Sequence, residues 1–348
     1  MIKIIADENL EVVEALCSSW SDVELVPPDQ ISHSKIKNKD VLIVRSVTSV
    51  NSSLLNKTNI KFVGTPTSGI NHIDTEFLDS KNITFSYAPG CNSNSVVDYV
   101  MSSITTLVTI NELNNIKIGI IGYGNIGKKL GFCLDRFNIM YKFYDPFVSK
   151  KQFSNQSSSL YDFSDCDVIS IHTSLTTSGN HPTYKMISKS FLDSLKENVI
   201  FINTSRGEVV DQNHLIDFIS QNNLSKVILD VWDNEPNLNE KLFSLTTFAT
   251  PHIAGHSFVG KQNGVLKVID DLKSHYSINS LNIDDEYKSI NLSNINTLQD
   301  YVSKLHEIYK INNDFDYFTK HITKTKSIKD SFLYFRKFYP KRNEINYE

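Results

Sequence analysis

The stretch TPHIAGHSF, Thr250 to Phe258, places two histidines four residues apart, His252 and His256. An imidazole can move a proton near neutral pH. A lone histidine in an apolar segment is nevertheless more often a packed structural residue, so chemistry here requires partners. The segment LDVWDNEP, Leu229 to Pro236, offers Glu235 one expected strand upstream. By itself an acid in a turn is nearly always just solvated. Bonded to one imidazole nitrogen, it fixes the tautomer and favours the charged ring. The other nitrogen is then free to take or give the proton of a substrate hydroxyl. INTSRGEVVD, Ile202 to Asp211, offers Arg206 at the carboxyl end of a strand-like run. Lys and Arg number 35, yet Arg stands only at 45, 136, 206, 336 and 342. Such a chain spends Arg where the planar fork is useful, and at Arg206 the fork fits a carboxylate or a 2-oxoacid.

A second constellation is GYGNIG, with Gly122, Gly124 and Gly127. It follows the apolar run Ile116 to Ile121 and opens a helical pattern of Ile126, Leu130, Leu134 and Phe137. The first glycine allows a tight turn, the second lets backbone approach a pyrophosphate, and the third lets helix and strand pack closely. The helix N-terminus, at Asn125 and Ile126, offers amides to phosphate oxygens. Eighteen residues beyond Gly127 stands Asp145, where a carboxylate binds ribose hydroxyls and repels a 2′-phosphate, favouring NAD over NADP. Glycines alone are a weak signal. With strand, helix and acid in place the signal is strong.

The elements that must position these residues read as two α/β series. Before residue 90, IKIIAD, DVLIVRS, KFVGTPTSG and ITFSYAPG are short β-branched runs separated by helical stretches, a parallel-sheet pattern. Arg45, Ser46, Thr67, Ser68 and Gly69 fall at strand carboxyl ends, where ligands bind in such sheets. A helix is expected from about Ser95 to Leu113, linking two domains. The second series runs through YKFYD, DVISIHTS, VIFINTS, KVILDVW and TFATPH, enough strands for a whole doubly wound domain. GVLKVIDDLKSHY and NTLQDYVSKLHEIYK read as helices, and only the last few residues are expected to be disordered. At 348 residues the chain calls for two or three domains. A net charge of -4 carries no electrostatic footprint for nucleic acid. No apolar run reaches bilayer length, and MIKIIADENL lacks the order of a signal peptide. Cys17, Cys91, Cys133 and Cys166 lie far apart, which predicts reduced cytoplasmic thiols with no disulfide framework and no metal site.

Taken in order, GYGNIG with Asp145, NTSRG, LDVWDNEP and TPHIAG resemble the D-isomer-specific 2-hydroxyacid dehydrogenases. ADENL, LIVRSVTSVNSSLL, IKFVGTPTSGINHID and APGCNSNSVVDYV make the chain most similar to the branch that oxidises a phosphorylated hydroxy acid in vitamin B6 synthesis. The resemblance covers most of the chain, with a tail short for that branch. It implies two doubly wound Rossmann-like domains with a cleft between them, plus a small α+β C-terminal dimerisation domain. The expected boundaries are 1–94, completed by 257–280, for substrate; 95–256 for NAD; and 281–348 for the homodimer contact. Arg206 would clamp the substrate carboxylate, and His252, oriented by Glu235, would be the acid–base. Ser46 and Thr67 would contact substrate. Asp145, Thr173, Thr204, Ser205, Asp230 and Gly255 would line the NAD site with the glycine loop. Where that branch carries Tyr after PHIAG this chain carries His256, a departure that touches substrate contact and not proton transfer. A phosphorylated substrate also calls for cations: Arg45, or the basic tail of Arg336, Lys337, Lys341 and Arg342 reaching across a dimer. A structural ion pair for Arg45 and a solvated face for the tail are the plain alternatives. Two other functions stay open: a family member acting on phosphoglycerate or lactate, and a non-enzymatic NAD-sensing binding protein. The N-terminal motifs argue against the first, and the intact Arg206, Glu235 and His252 against the second.

Overall fold

The β-branched runs of the first ninety residues form five parallel strands: β1 (Ile2–Asp7), β2 (Ser21–Val26), β3 (Val41–Ile43), β4 (Phe62–Thr65) and β5 (Thr84–Tyr87), in the order β2-β1-β3-β4-β5. Alternation along each strand serves both faces, as a sheet covered on both sides requires. Ile4, Ala6, Val41, Ile43 and Phe62 pack with Val265, Val268, Ile269 and Leu272 of the helix Phe258–His275. Ile5, Leu42, Val44 and Val63 pack with Val26, Ile36, Leu55 and Leu78. The computed structural model describes residues 1–10, 12–149, 154–157, 159–221, 225–278 and 290–348. It divides into two units, Met1–Asn92 with Phe258–Lys288, and Ser93–Ser257 with Ser289–Glu348.

The second unit carries six parallel strands: β6 (Lys117–Ile121), β7 (Met140–Tyr144), β8 (Val168–Ile171), β9 (Ile200–Asn203), β10 (Lys226–Leu229) and β11 (Phe248–Ala249). Their order is β11-β10-β9-β8-β6-β7. The chain reverses direction across the sheet at β6, between β7 and β8. The loops that leave β6 and β8 therefore flank the crevice where doubly wound sheets bind ligands.

The helix expected over 95–113 breaks in two, Ser93–Leu107 and Ile110–Leu113. Thr109 stops the first and caps the second. Its hydroxyl accepts from the Glu112 amide while the Glu112 carboxylate accepts from the Thr109 amide, a reciprocal capping box.

The tail, expected over 281–348 as a domain of its own, forms three helices, Leu298–Ile308, Ile311–Thr325 and Ile328–Lys337. A two-stranded parallel sheet joins β12 (Ile290–Asn291) to β13 (Ile345–Asn346). The expected boundary at 280/281 lies outside the described residues. Tyr301, Leu305, Ile311, Phe318 and Phe332 share one hydrophobic core with Ile118, Val168, Phe201 and Ile228 of the six-stranded sheet. The tail thus groups with the six-stranded unit, whose core it shares. The last residues, expected to be disordered, are fastened: Ile345 and Tyr347 are buried, and the Tyr347 hydroxyl donates to Asp98 at 2.7 Å.

Candidate active site

The glycine loop leaves β6 with Gly122 at φ 93°, in the left-handed region that glycine adopts without strain. A Cβ there would lie 2.8 Å from the His172 carbonyl carbon and 2.9 Å from the Thr173 nitrogen, so β6 and β8 approach too closely for a side chain. At Gly127 a Cβ would meet the Gly122 oxygen at 2.2 Å. Gly124 differs: nothing lies within 4 Å of its Cβ position. It is the N-cap of the helix Asn125–Arg136 and has no side chain to cap the first-turn amides of Asn125 and Ile126. Asp145, just past β7, accepts from the Tyr123 amide at 2.8 Å and from the Phe147 amide at 2.9 Å. The acid is thus tied to the glycine loop itself.

A dinucleotide fits these residues. There is open space over Gly124, a carboxylate at the end of β7, and a buried Thr173 hydroxyl without a partner among the described residues. Such an orphan is the usual mark of a group that a ligand or water satisfies. Thr204 and Ser205 are turned inward: the Thr204 hydroxyl lies 3.1 Å from His172 Nδ1, and the Ser205 hydroxyl donates to Asn203 Oδ1 at 2.8 Å.

Arg206 follows β9 in a turn built by Asn203, whose side-chain amide donates to the Arg206 carbonyl at 3.0 Å. Arg206 Nη1 donates to the Ser205 carbonyl at 2.7 Å. The next residue explains the SRG sequence. A Cβ at Gly207 would fall 1.9 Å from the Trp232 carbonyl carbon, so only glycine lets this turn lie on the Trp232–Asp233 backbone. That approach brings Arg206 beside the loop that bears Glu235.

Glu235 and His252 meet: Nδ1 of His252 lies 2.8 Å from Glu235 Oε2. The other carboxylate oxygen accepts from the Trp232 amide at 2.8 Å. Burial works to raise the Glu235 carboxyl, and the His252 bond and charge, the Trp232 amide and the Arg336 guanidinium together overcome it, holding the group below the ordinary carboxylate value. His252 itself sits at φ 57°. The stretch around it is braced by Asp230, whose carboxylate accepts from the Thr250 hydroxyl at 2.7 Å, the Ile253 amide at 2.7 Å and the Ala254 amide at 2.9 Å. The Thr250 hydroxyl also meets the Tyr99 hydroxyl at 2.7 Å, and Trp232 Nε1 donates to the Thr250 carbonyl at 2.9 Å. Burial raises the Asp230 carboxyl, against the charge of His252 and these bonds. Gly255 lies in the same turn, and the His256 ring stands edge-on to Tyr339 with centroids 5.7 Å apart.

The arginines expected to bind phosphate separate. Arg336, from the last tail helix, reaches its own chain's Glu235, Nη1 to Oε2 at 4.0 Å, and is 32% exposed. Burial draws its guanidinium below the ordinary value, opposed by Glu235 and Asp230 and aided by the like charge of Arg206. The Arg336 guanidinium therefore neighbours the Glu235–His252 pair, with Arg206 near enough for its charge to act on Arg336. The sequence pointed to Arg336 only as part of a basic run, and nothing local marks it as a neighbour of Glu235. Arg342 is turned inward onto backbone carbonyls. In the first unit Arg45 gives Nε to the buried Asp7 at 2.8 Å, the plain ion pair, with the side chain 34% exposed. Ser46 is exposed beside it, and the Thr67 hydroxyl donates to the Gly69 carbonyl at 2.8 Å. Among the described residues no group of three or more His, Cys, Asp and Glu is arranged to hold a metal ion.

Residues 98–254 match the family model described as D-isomer specific 2-hydroxyacid dehydrogenase, NAD binding domain. Erythronate-4-phosphate dehydrogenase of Marinomonas sp. is 37% identical over 357 residues, covering 99% of this chain and 93% of that protein. The enzyme of the same name from Wigglesworthia glossinidia brevipalpis is 36% identical, covering 99% and 92%. Among solved structures, 3-phosphoglycerate dehydrogenase of Entamoeba histolytica with NAD+ superposes with a TM-score of 0.67 at 21% identity, over 82% of this chain and 99% of that one. D-lactate dehydrogenase of Aquifex aeolicus, complexed with NAD and lactic acid, gives 0.66 at 21%, over 79% and 95%. With relatives above 35% identity along nearly its whole length, this chain belongs to the D-isomer specific 2-hydroxyacid dehydrogenase family, in its erythronate-4-phosphate dehydrogenase branch.

Proposed function

We propose that the chain is an NAD-dependent dehydrogenase oxidising 4-phospho-D-erythronate to (R)-3-hydroxy-2-oxo-4-phosphooxybutanoate in pyridoxal 5'-phosphate (vitamin B6) biosynthesis. The observation that carries the reading is the 2.8 Å contact between His252 Nδ1 and Glu235, which leaves Nε2 for a substrate hydroxyl. Gly122, Gly124, Asn125, Ile126, Gly127, Asp145 and Thr173 hold NAD, with Thr204, Ser205, Asp230 and Gly255 as further lining. NAD, when bound, accepts the C2 hydride. Arg206 takes the substrate carboxylate with its fork and polarises the C2 oxygen. His252 Nε2 receives the C2 hydroxyl proton as the C2–O bond gains double-bond character. Glu235 keeps the ring oriented and stabilises the imidazolium that forms, and the like-charged Arg206 and Arg336 add to the pull on the substrate anion.

Ser46, Thr67 and His256 are the remaining substrate contacts in this reading, and Arg336 and Arg45 its phosphate cations. Lys337 and Lys341 complete the basic tail. We also propose a homodimer. Tyr317, Leu333, Tyr334 and Phe338 on the tail helices are each 40% exposed or more, an apolar face that a second copy would cover. Four free cysteines suit a reducing, NAD-containing cytoplasm, and among the described residues no helix is long and apolar enough to cross a membrane.

The test is NADH formation with NAD and 4-phospho-D-erythronate, 3-phosphoglycerate or D-lactate. The reading expects the four-carbon phosphate to be preferred in kcat/KM. Preference for another acid would reassign the substrate. NAD binding without turnover of any of them would favour a sensing protein.

A further inference from the structure

The loop that carries His252 is held by one residue of the carboxyl-terminal tail. Arg342 Nε donates to the His256 carbonyl at 2.7 Å, and Nη2 donates to the Ala254 carbonyl at 2.7 Å and to the Ser95 hydroxyl. The guanidinium lies over the Tyr309 ring, 3.9 Å from its centroid, and the residue is only 8% exposed. Two residues on, Glu344 accepts from the Ser257 hydroxyl and from the Asn94 amide. The same short loop gives its Ile253 and Ala254 amides to Asp230. Its Ile253 and Ala254 amides thus go to an acid of the nucleotide-binding sheet and its Ala254 and His256 carbonyls to a cation of the tail, the Ala254 carbonyl also accepting from the Ser95 hydroxyl at 2.7 Å. The need for such bracing is visible at His252, whose φ of 57° is sparsely populated by non-glycine residues and persists only where surroundings over-determine it.

Resting on the reading that His252 is the acid–base, we propose that Arg342 is its positioning residue: seating of the carboxyl-terminal segment fixes the His252 loop, and turnover depends on that seat. The planar fork is what the task needs. Its Nε and Nη2 span carbonyls two residues apart, which the point charge of a lysine does not do.

The experiment compares full-length Arg342→Lys and Arg342→Ala with Tyr347→Phe, a tail change that removes a buried hydroxyl and touches no atom of the loop. A displacement of about 1 Å costs up to roughly 10²-fold in rate, so Arg342→Lys is expected to lose about 10- to 10²-fold in kcat with substrate KM changed less than about threefold. Added guanidinium is expected to restore part of the Arg342→Ala activity, and Tyr347→Phe to keep its kcat whatever its melting temperature. If Arg342→Ala does not fold, the Lys variant decides. An unchanged kcat in Arg342→Lys, a rise in KM alone, or an equal kcat loss in Tyr347→Phe overturns the proposal. Amide hydrogen exchange at Ile253 and Ala254 tests the seat without turnover. It should accelerate in Arg342→Lys and not in Tyr347→Phe, and unchanged exchange overturns the clamp. Faster exchange in a chain that oxidises no substrate would count against the catalytic reading alone.

Discussion

Glu235 keeps its charge in a half-buried place because an imidazole, a backbone amide and a guanidinium all favour the ionised form. In the proposed mechanism it therefore acts on His252 as an orienting anion and does not compete for the substrate proton. His252→Ala removes the proposed acid–base and should lower kcat by about 10²- to 10⁴-fold. Glu235→Gln retains an oxygen for the Trp232 amide but loses the charge. By analogy with carboxylates behind metal-ligating imidazoles, worth on the order of 10- to 100-fold, its kcat should fall by that smaller factor, with substrate KM little changed. Steady-state kinetics of the two variants check the order. A Glu235→Gln defect confined to KM would mean that the carboxylate binds substrate instead. Arg206→Lys keeps the charge and loses the fork. With about 1.5–3 kcal/mol for a charged hydrogen bond, kcat/KM should drop by roughly 10- to 100-fold.

The glycine loop and the end of β8 act as elements, and their variants separate binding from folding. The methyl of Gly124→Ala meets no atom within 4 Å among the described residues beyond its chain neighbours, and the φ there is negative, -82°. The free chain's melting temperature should hardly move, while NAD affinity should fall by about tenfold or more, because the methyl occupies the space a pyrophosphate needs. Fluorescence titration beside thermal unfolding reads both quantities, and equal NAD affinity would mean that the gap has another use. At the end of β8, His172 is part-buried, its ring nitrogens turned onto protein hydroxyls: Nε2 lies 2.9 Å from that of Ser170 and Nδ1 3.1 Å from that of Thr204. Burial pushes its pKa down to about 3. Above about pH 6.5 neither folded nor unfolded chain holds this proton. As pH falls below that value the unfolded chain binds it and the folded one does not. Stability is then lost at up to ~1.4 kcal/mol per pH unit until the folded group titrates near 3. Replacing His172 by Asn should remove that slope between pH 6 and 4 on this linkage argument. Urea unfolding at several pH values measures it, and parallel curves for parent and variant would refute the assignment.

At the scale of the molecule, the tail's set of helices has two unlike faces. Its inner face closes the core of the nucleotide-binding sheet through Phe318, Phe332 and Phe335. Its outer face leaves Leu333 and Phe338 50% and 59% exposed. If that face is the homodimer contact, Leu333→Lys with Phe338→Lys should convert a dimer to monomer in sedimentation, with the melting transition kept. A double variant that still sediments as the parent would move the contact elsewhere.

The local geometry of the candidate site was legible in the sequence wherever it depends on neighbours along the chain. GYGNIG with Asp145 encodes a turn and a helix start, and the strand ends after β9 and β10 deliver Arg206 and the Glu235 loop by local geometry. Two parallel sheets followed from β-branched runs for the same reason. Tertiary structure alone decided what rests on distant approach. Gly207 is glycine because of the Trp232 backbone, the helix after Ser93 stops at a Thr109 capping box that hydrophobic period passes over, and the final strand is ordered because Asp98 and Tyr301 are there to bind Tyr347. The basic tail is the sharpest case. Arg336 and Arg342 are six residues apart in one run of similar composition, yet one faces Glu235 and the other grips the Ala254 and His256 carbonyls. Charge and spacing along a chain do not say which buried partner a side chain will meet; packing against turns 86 or more residues earlier does.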